Sequence, residues 1–174
     1  MRVSRPAGGP VRDDLDQVFR REYPRVVAVA ARVLGSRDHA EDVAQDVFLS
    51  FGRSSVPAEE ARGWLAVAAA HTALNLLRSS RRRTSREESA AAATETVVGD
   101  IGEVVVTLEE RSRVRAALAE LPRTQAVALV LRHSGLSYAD VAAALDLSPG
   151  SVGTTVRRAE SALRKELTRH ASSD

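Results

Sequence analysis

The chain contains no cysteine, which excludes disulfides, thiolate zinc sites and cysteine nucleophiles. Histidine is nearly as scarce. The four imidazoles, His39, His71, His133 and His170, are scattered without an HExxH or i,i+4 pairing, so no metal site is expected. There is no Gly-rich phosphate loop and no nucleophile–base pair, so neither a cofactor nor an enzymatic activity is expected. The longest apolar run, residues 65–70, falls far short of the ~20 residues that cross a bilayer. The opening MRVSRPAGGP places Gly and Pro where a signal peptide needs an apolar stretch. The expectation is a cytoplasmic protein without a membrane partner.

Aromatic residues are few, one Trp, two Tyr and three Phe, while the apolar fraction reaches 44%. Ala, Val and Leu must therefore build the core, and Ala-rich segments favour helices. The net charge is only +2 although the isoelectric point is near 9.6, so the placement of charge matters more than its total. Residues 1–80 hold eleven Arg against ten acids, and RRRTSR follows at 81–86. Residues 87–110 then hold seven acids and no base, whereas 111–174 hold ten bases and six acids. An acidic, Ala/Thr/Gly-rich stretch between two mildly basic parts reads as a linker between two small domains.

Apolar residues recur at helical spacing from Leu15 to Leu34, with Asp13 or Asp14 as N-cap and Gly35 as the stop. Pro24 is expected to kink this helix without ending it. Ala40, Val43, Ala44, Val47, Phe48 and Phe51 form the stripe of a second helix, and a third spans about Ala58 to Arg78. On that third helix Leu65, Ala69, Ala73 and Leu76 suit the core. In the second part, helices are expected over about Val105–Glu120, from Pro122 to near His133, over Ser137–Leu145, and from Ser148 with Pro149 in first position. No strand-like alternation of useful length occurs, so the fold class is all-α, two compact helical domains on a flexible tether.

Three surfaces carry chemistry. The second helix turns Asp42, Gln45, Asp46 and Leu49 outward, and an apolar residue among acids suits protein docking. On the third helix Trp64, Ala68, His71, Asn75 and Arg78 lie within about 40° of one line. An aromatic, an imidazole, an amide and a guanidinium in a stripe can stack and hydrogen-bond single-stranded bases. Arg81, Arg82 and Arg83 extend it as a phosphate-facing cluster. On the last helix Val152, Val156, Ala159 and Leu163 form the buried stripe, and Thr154, Arg157, Arg158 and Ser161 point away from it. The free N–H groups behind Ser148 and Ser151 can receive a phosphate. Arg157 can make bidentate base contacts.

EYPRVVAVAARVLGSRDHAEDVAQDVFLSF followed by ARGWLAVAAAHTALNLLRSSRRR resembles region 2 of the extracytoplasmic-function sigma factors of bacterial RNA polymerase. ALAELPRTQAVALVLRHSGLSYADVAAALDLSPGSVGTTVRRAESALRKEL resembles their region 4. The resemblance implies a disordered N-terminus over 1–12, region 2 over 13–80, a linker over 81–104 and region 4 over 105–170. It implies that Asp42, Gln45, Asp46 and Leu49 dock on core RNA polymerase, whose β and β′ subunits become partners. It places reading and melting of the −10 non-template strand on Trp64, His71, Asn75, Arg78, Arg81 and Arg82, with Ser54 and Ser55 holding a flipped base. It places the −35 duplex on Ser148, Ser151, Thr154, Arg157, Arg158 and Ser161. Many members also have an anti-sigma factor as a partner. Two other functions fit parts of the same pattern, a free-standing helix-turn-helix regulator and an all-helical adaptor. The chain departs from the family at Ala66, Val67 and Ala70, where a second aromatic and Arg are common. It departs again at His71 and Asn75, for Asn and Asp, and at Gly153 and Thr155, where Lys and Arg are typical.

Overall fold

The computed structural model describes residues 12–88 and 102–172. Of the expected N-terminal tail, residues 1–12, all but Arg12 lie outside the described residues, as does the middle of the expected linker, residues 89–101. Seven helices occupy the described residues, and no strand is found among them.

α1 (Leu15–Leu34) begins after Asp14 and runs through Pro24. Asp14 sits at the N-cap position but makes no capping bond; its carboxylate instead pairs with the guanidinium of Arg12. Gly35 ends the helix at φ 68, its N–H bonded to Ala31 O, a left-handed backbone that glycine adopts without strain. α2 (Arg37–Gly52) follows after two residues, Gly35 and Ser36, and the Ser36 hydroxyl accepts the His39 N–H at 3.4 Å. α3 (Ala61–Glu88) lies against both α1 and α2. The core between the three is built from small residues: Val26, Val29, Val33, Val43, Ala44, Ala69 and Ala73 around Phe51, Leu65 and Leu74, all essentially inaccessible.

Two expectations about α3 fail. It continues ten residues past Arg78, because nothing between Trp64 and Glu88 breaks a helix: the segment has neither Gly nor Pro and is rich in Ala, Leu and Arg. The change in charge at residue 81 alters what the helix faces, not whether it is helical. Leu76, expected in the core, is 44% exposed, while Leu74 and Leu77 are buried. On the helical wheel the buried positions 65, 66, 69, 70, 73, 74 and 77 span a broad arc, and residue 76 falls on its rim.

α4 (Gly102–Glu120) takes in the β-prone Val104–Val106 run as helix. α5 (Arg123–His133) opens after Pro122 and buries Ala126 through Leu131 without interruption, as a central helix must. Gly135, at φ 90, turns the chain. α6 (Tyr138–Leu145) is opened by a reciprocal cap in which Ser137 accepts the Asp140 N–H and Asp140 accepts the Ser137 N–H. α6 ends at Asp146 in the left-handed region, φ 52, and α7 (Pro149–Ala171) begins three residues later. α6, this short turn and α7 form a helix-turn-helix. The second domain closes around Leu131, Leu136, Val141, Val152, Val156 and Ala159. Its core is continuous with that of the first domain, and α3 contacts α4, α5 and α6.

Candidate functional site

Burying Val43, Ala44, Val47 and Phe48 fixes the roll of α2, and that roll leaves Asp42, Gln45, Asp46 and Leu49 exposed on one face. Leu49 is 60% exposed. Beside this face lies a largely apolar cleft of about 540 Å³, lined in part by Phe19, Gln45, Phe48 and Leu49. Phe19 stacks against Tyr23 and Phe48, with ring centroids 4.7 and 4.9 Å away. The spacing of α1 assigns Phe19 to the core stripe, yet it is 38% exposed. An i,i+4 aromatic pair, Phe19 with Tyr23, is the sequence signal for such a rim position.

The loop between α2 and α3 holds itself in shape. The Ser54 hydroxyl donates to Phe51 O at 2.8 Å and accepts the Val56 N–H at 3.4 Å, while Ser55 is exposed. Phe51 anchors the loop from below, with the Arg12 guanidinium 4.2 Å from its ring centroid and the Trp64 ring 5.8 Å away. Trp64 is thus half-buried, one side on the core and the other towards solvent and the second domain.

The remaining stripe residues divide. Asn75 is exposed. His71 and Arg78 are half-buried and engaged by the second domain. Arg123 Nε donates to His71 Nδ1 at 2.6 Å, and Arg78 donates from Nε to Ala119 O at 3.0 Å and from Nη2 to Leu121 O at 2.8 Å. On the wheel His71 and Arg78 lie on the flank of the stripe nearest the buried Leu74, and Asn75 on the far flank. Burial, then the nearby charges of Arg123 and Arg78, push the His71 imidazole below its ordinary 6.5. Arg82 is exposed. Arg81 keeps one guanidinium nitrogen buried and unbonded, and lines one cleft with Thr84, Ser112 and Arg115 and another with Ala119 and Glu120.

On α7 the burial of Val152, Val156 and Ala159 leaves Thr154, Arg157, Arg158 and Ser161 exposed along the opposite face, and Ser148 and Ser151 exposed at its start. The two serine hydroxyls bond each other. Arg157 Nε rests on Gly153 O at 3.3 Å, and the Thr155 hydroxyl on Ser151 O at 2.9 Å. Gly153 lies beneath the edge of Tyr138, 3.6 Å from where a Cβ would sit. The Tyr138 ring in turn lies 5.1 Å from the Arg132 guanidinium. The departures at 66 and 70 have a comparable origin: Ala66 and Ala70 are fully buried, so a cation at either would lose its solvent. Among the described residues no group of His, Asp and Glu side chains is arranged to hold a metal ion, and no helix is long and apolar enough to cross a membrane.

The family model "Sigma-70 region 2" matches residues 18–83 and "Sigma-70, region 4" matches residues 111–163. The chain is 31% identical to the ECF RNA polymerase sigma factor EcfG of Rhodopseudomonas palustris (strain TIE-1), over 88% of this chain and 85% of the relative. It is 27% identical to the ECF RNA polymerase sigma factor SigK of Mycobacterium sp. (strain KMS), over 83% and 78%. Its fold is similar to that of the sigma factor RpoE of Bartonella quintana, solved with the anti-sigma factor NepR: TM-score 0.50, 24% identity, 90% of this chain and 98% of that one.

Proposed function

The chain belongs to the ECF RNA polymerase sigma factors, and on that footing we propose how its surfaces divide the work of promoter recognition. As a sigma factor it acts with core RNA polymerase and promoter DNA. The first domain, residues 13–80, docks on the polymerase through Asp42, Gln45, Asp46 and Leu49, and the cleft beside Phe19 and Phe48 adds apolar area to that contact. Trp64, His71, Asn75, Arg78, Arg81 and Arg82 read and hold the opened −10 strand, with Ser54 and Ser55 at the loop that receives a flipped base. The second domain, residues 105–170, lays α7 on the −35 duplex through Ser148, Ser151, Thr154, Arg157, Arg158 and Ser161. The chain works in the cytoplasm and performs no catalysis of its own. An anti-sigma factor is a further expected partner, as the Bartonella sigma factor has one.

The observation that carries this reading is the face of α2. Two carboxylates, an amide and an exposed leucine have no evident use on an acidic duplex, yet they form a patch suited to a basic protein surface. The test is association with purified core polymerase, followed by run-off transcription on a genomic promoter library. Asp46→Arg is expected to abolish association while the second domain stays folded by circular dichroism. Unchanged association removes the docking assignment.

A further inference from the structure

We infer that the free protein closes on itself, the second domain covering Trp64, His71 and Arg78 on the −10-reading face of α3 while leaving the polymerase-docking and −35 faces open. This rests on the reading of α3 given above. Over the ~21 Å of helix between Trp64 and Arg78, the second domain engages the stripe at three levels. At the first turn Gly63 faces α6: a Cβ at Gly63 would lie 3.6 Å from Ala144 Cβ, and Trp64 shares a cleft with Leu136, Asp140 and Ala144. At the middle His71 accepts from Arg123. At the far end Arg78 donates to Ala119 O and Leu121 O.

The engagement of Arg78 has a clear cause. α4 ends at Glu120, so the carbonyls of its final turn lack helical partners, and a cation suits that negative end. The Arg78 N–H groups and the His71 ring nitrogen that bind the second domain are the same groups a DNA strand would need. The second domain lies over Trp64, His71 and Arg78 together, so a strand laid along them must displace it, and closure and −10 binding compete. Closure is also selective. Asp42, Gln45, Asp46 and Leu49, and on α7 Thr154, Arg157, Arg158 and Ser161, are all exposed in the closed form. A closed molecule can therefore meet polymerase and a −35 duplex before it can hold an opened strand. The contacts across the seam include three hydrogen bonds and a Gly–Ala contact at one end, beside the apolar core that the two domains share.

The absence of cysteine makes a direct test possible. The double variant Gly63→Cys, Ala144→Cys places the only two thiols of the full-length chain with Cβ atoms at a separation that suits a disulfide. Mild oxidation of the monomer is expected to close that bridge. A single-stranded DNA ligand is then selected from a random-sequence pool on the reduced variant. The oxidised form should bind it about tenfold or more weakly, the reciprocal of the fraction left open, and should regain binding on reduction. The −35 duplex should bind both forms alike. Failure of the bridge to form, or equal strand binding by both forms, overturns the inference. Should the reduced protein select no strand, the reading of α3 falls instead, and the yield of the bridge still decides whether the domains close. Ala144→Leu approaches from the opposite side, setting a bulkier side chain against Gly63, where a Cβ would lie 3.6 Å from Ala144 Cβ. It should loosen the seam and strengthen strand binding; unchanged binding counts against closure.

Discussion

Arg123→Ala removes one hydrogen bond at the centre of the seam, that to His71, and replaces no residue itself assigned to DNA or polymerase. The bond is short, 2.6 Å from Arg123 Nε to His71 Nδ1, and partly open to water. Its net worth is therefore near ~1 kcal/mol, not the several an enclosed ionic bond would reach. That shifts the ratio of closed to open molecules about fivefold towards open. The same substitution removes a cation that depresses the His71 imidazole, after burial the largest cause of that depression. His71 in the variant should titrate closer to its ordinary 6.5. Proton NMR of the four imidazoles across pH reads this directly, with His71 assigned by its loss in His71→Gln. Identical titration of His71 in the parent and Arg123→Ala would refute the reasoning, because it would mean the guanidinium is not there in solution. The sign of the pH effect follows from the same geometry. The closed form holds His71 neutral, with Arg78 of α3 and Arg123 of α5 as the nearby charges, so its pKa is lower closed than open. Closure is therefore at full strength above the ordinary 6.5 and weakens as pH falls from there through the depressed value. In the parent, strand binding by the free protein should improve on mild acidification, and in Arg123→Ala this gain should shrink.

Two further outcomes test the second domain. Replacing both Arg157 and Arg158 by Ala should lower the slope of log affinity for the −35 duplex against log salt by about 0.9 for each phosphate no longer neutralised; an unaltered slope in fluorescence anisotropy would mean these arginines do not touch the backbone. Ser137→Ala removes the hydroxyl that accepts the Asp140 N–H and should cost ~1 kcal/mol in urea unfolding of the chain. In the parent, the hydroxyl and N–H of Ser137 hold the Asp140 carboxyl below its usual 3.8. That contribution is present above 3.8 and fades as pH falls through the depressed value.

The helices were legible in the sequence because chemistry punctuates them. Gly35 takes a positive φ, Ser36 and Ser137 cap, and Pro122 and Pro149 sit where a missing N–H does no harm. The misreadings come from positions where a local rule met a non-local one. Asp14 has the side chain of an N-cap, but Arg12 claims its carboxylate. Leu76 and Phe19 keep the helical period yet lie at the rim of the faces that period assigns them. The larger omission is the seam. Nothing in the period of α3 says that His71 answers to a residue 52 positions away, or Arg78 to carbonyls 41 and 43 positions away. Yet the sequence carried a trace of it. Gly63 opens the contact with α6, and His71, which departs from the family's Asn, supplies an acceptor with a pKa that a cation can move. Gly153 on α7 likewise sits where Tyr138 crosses the helix, leaving Arg157 and Arg158 as the outward cations. Ala66 and Ala70 serve packing in the core, while Gly63 and His71 serve the contact between the domains. A sigma factor so built trades part of its own grip on the strand for a state in which that strand is refused.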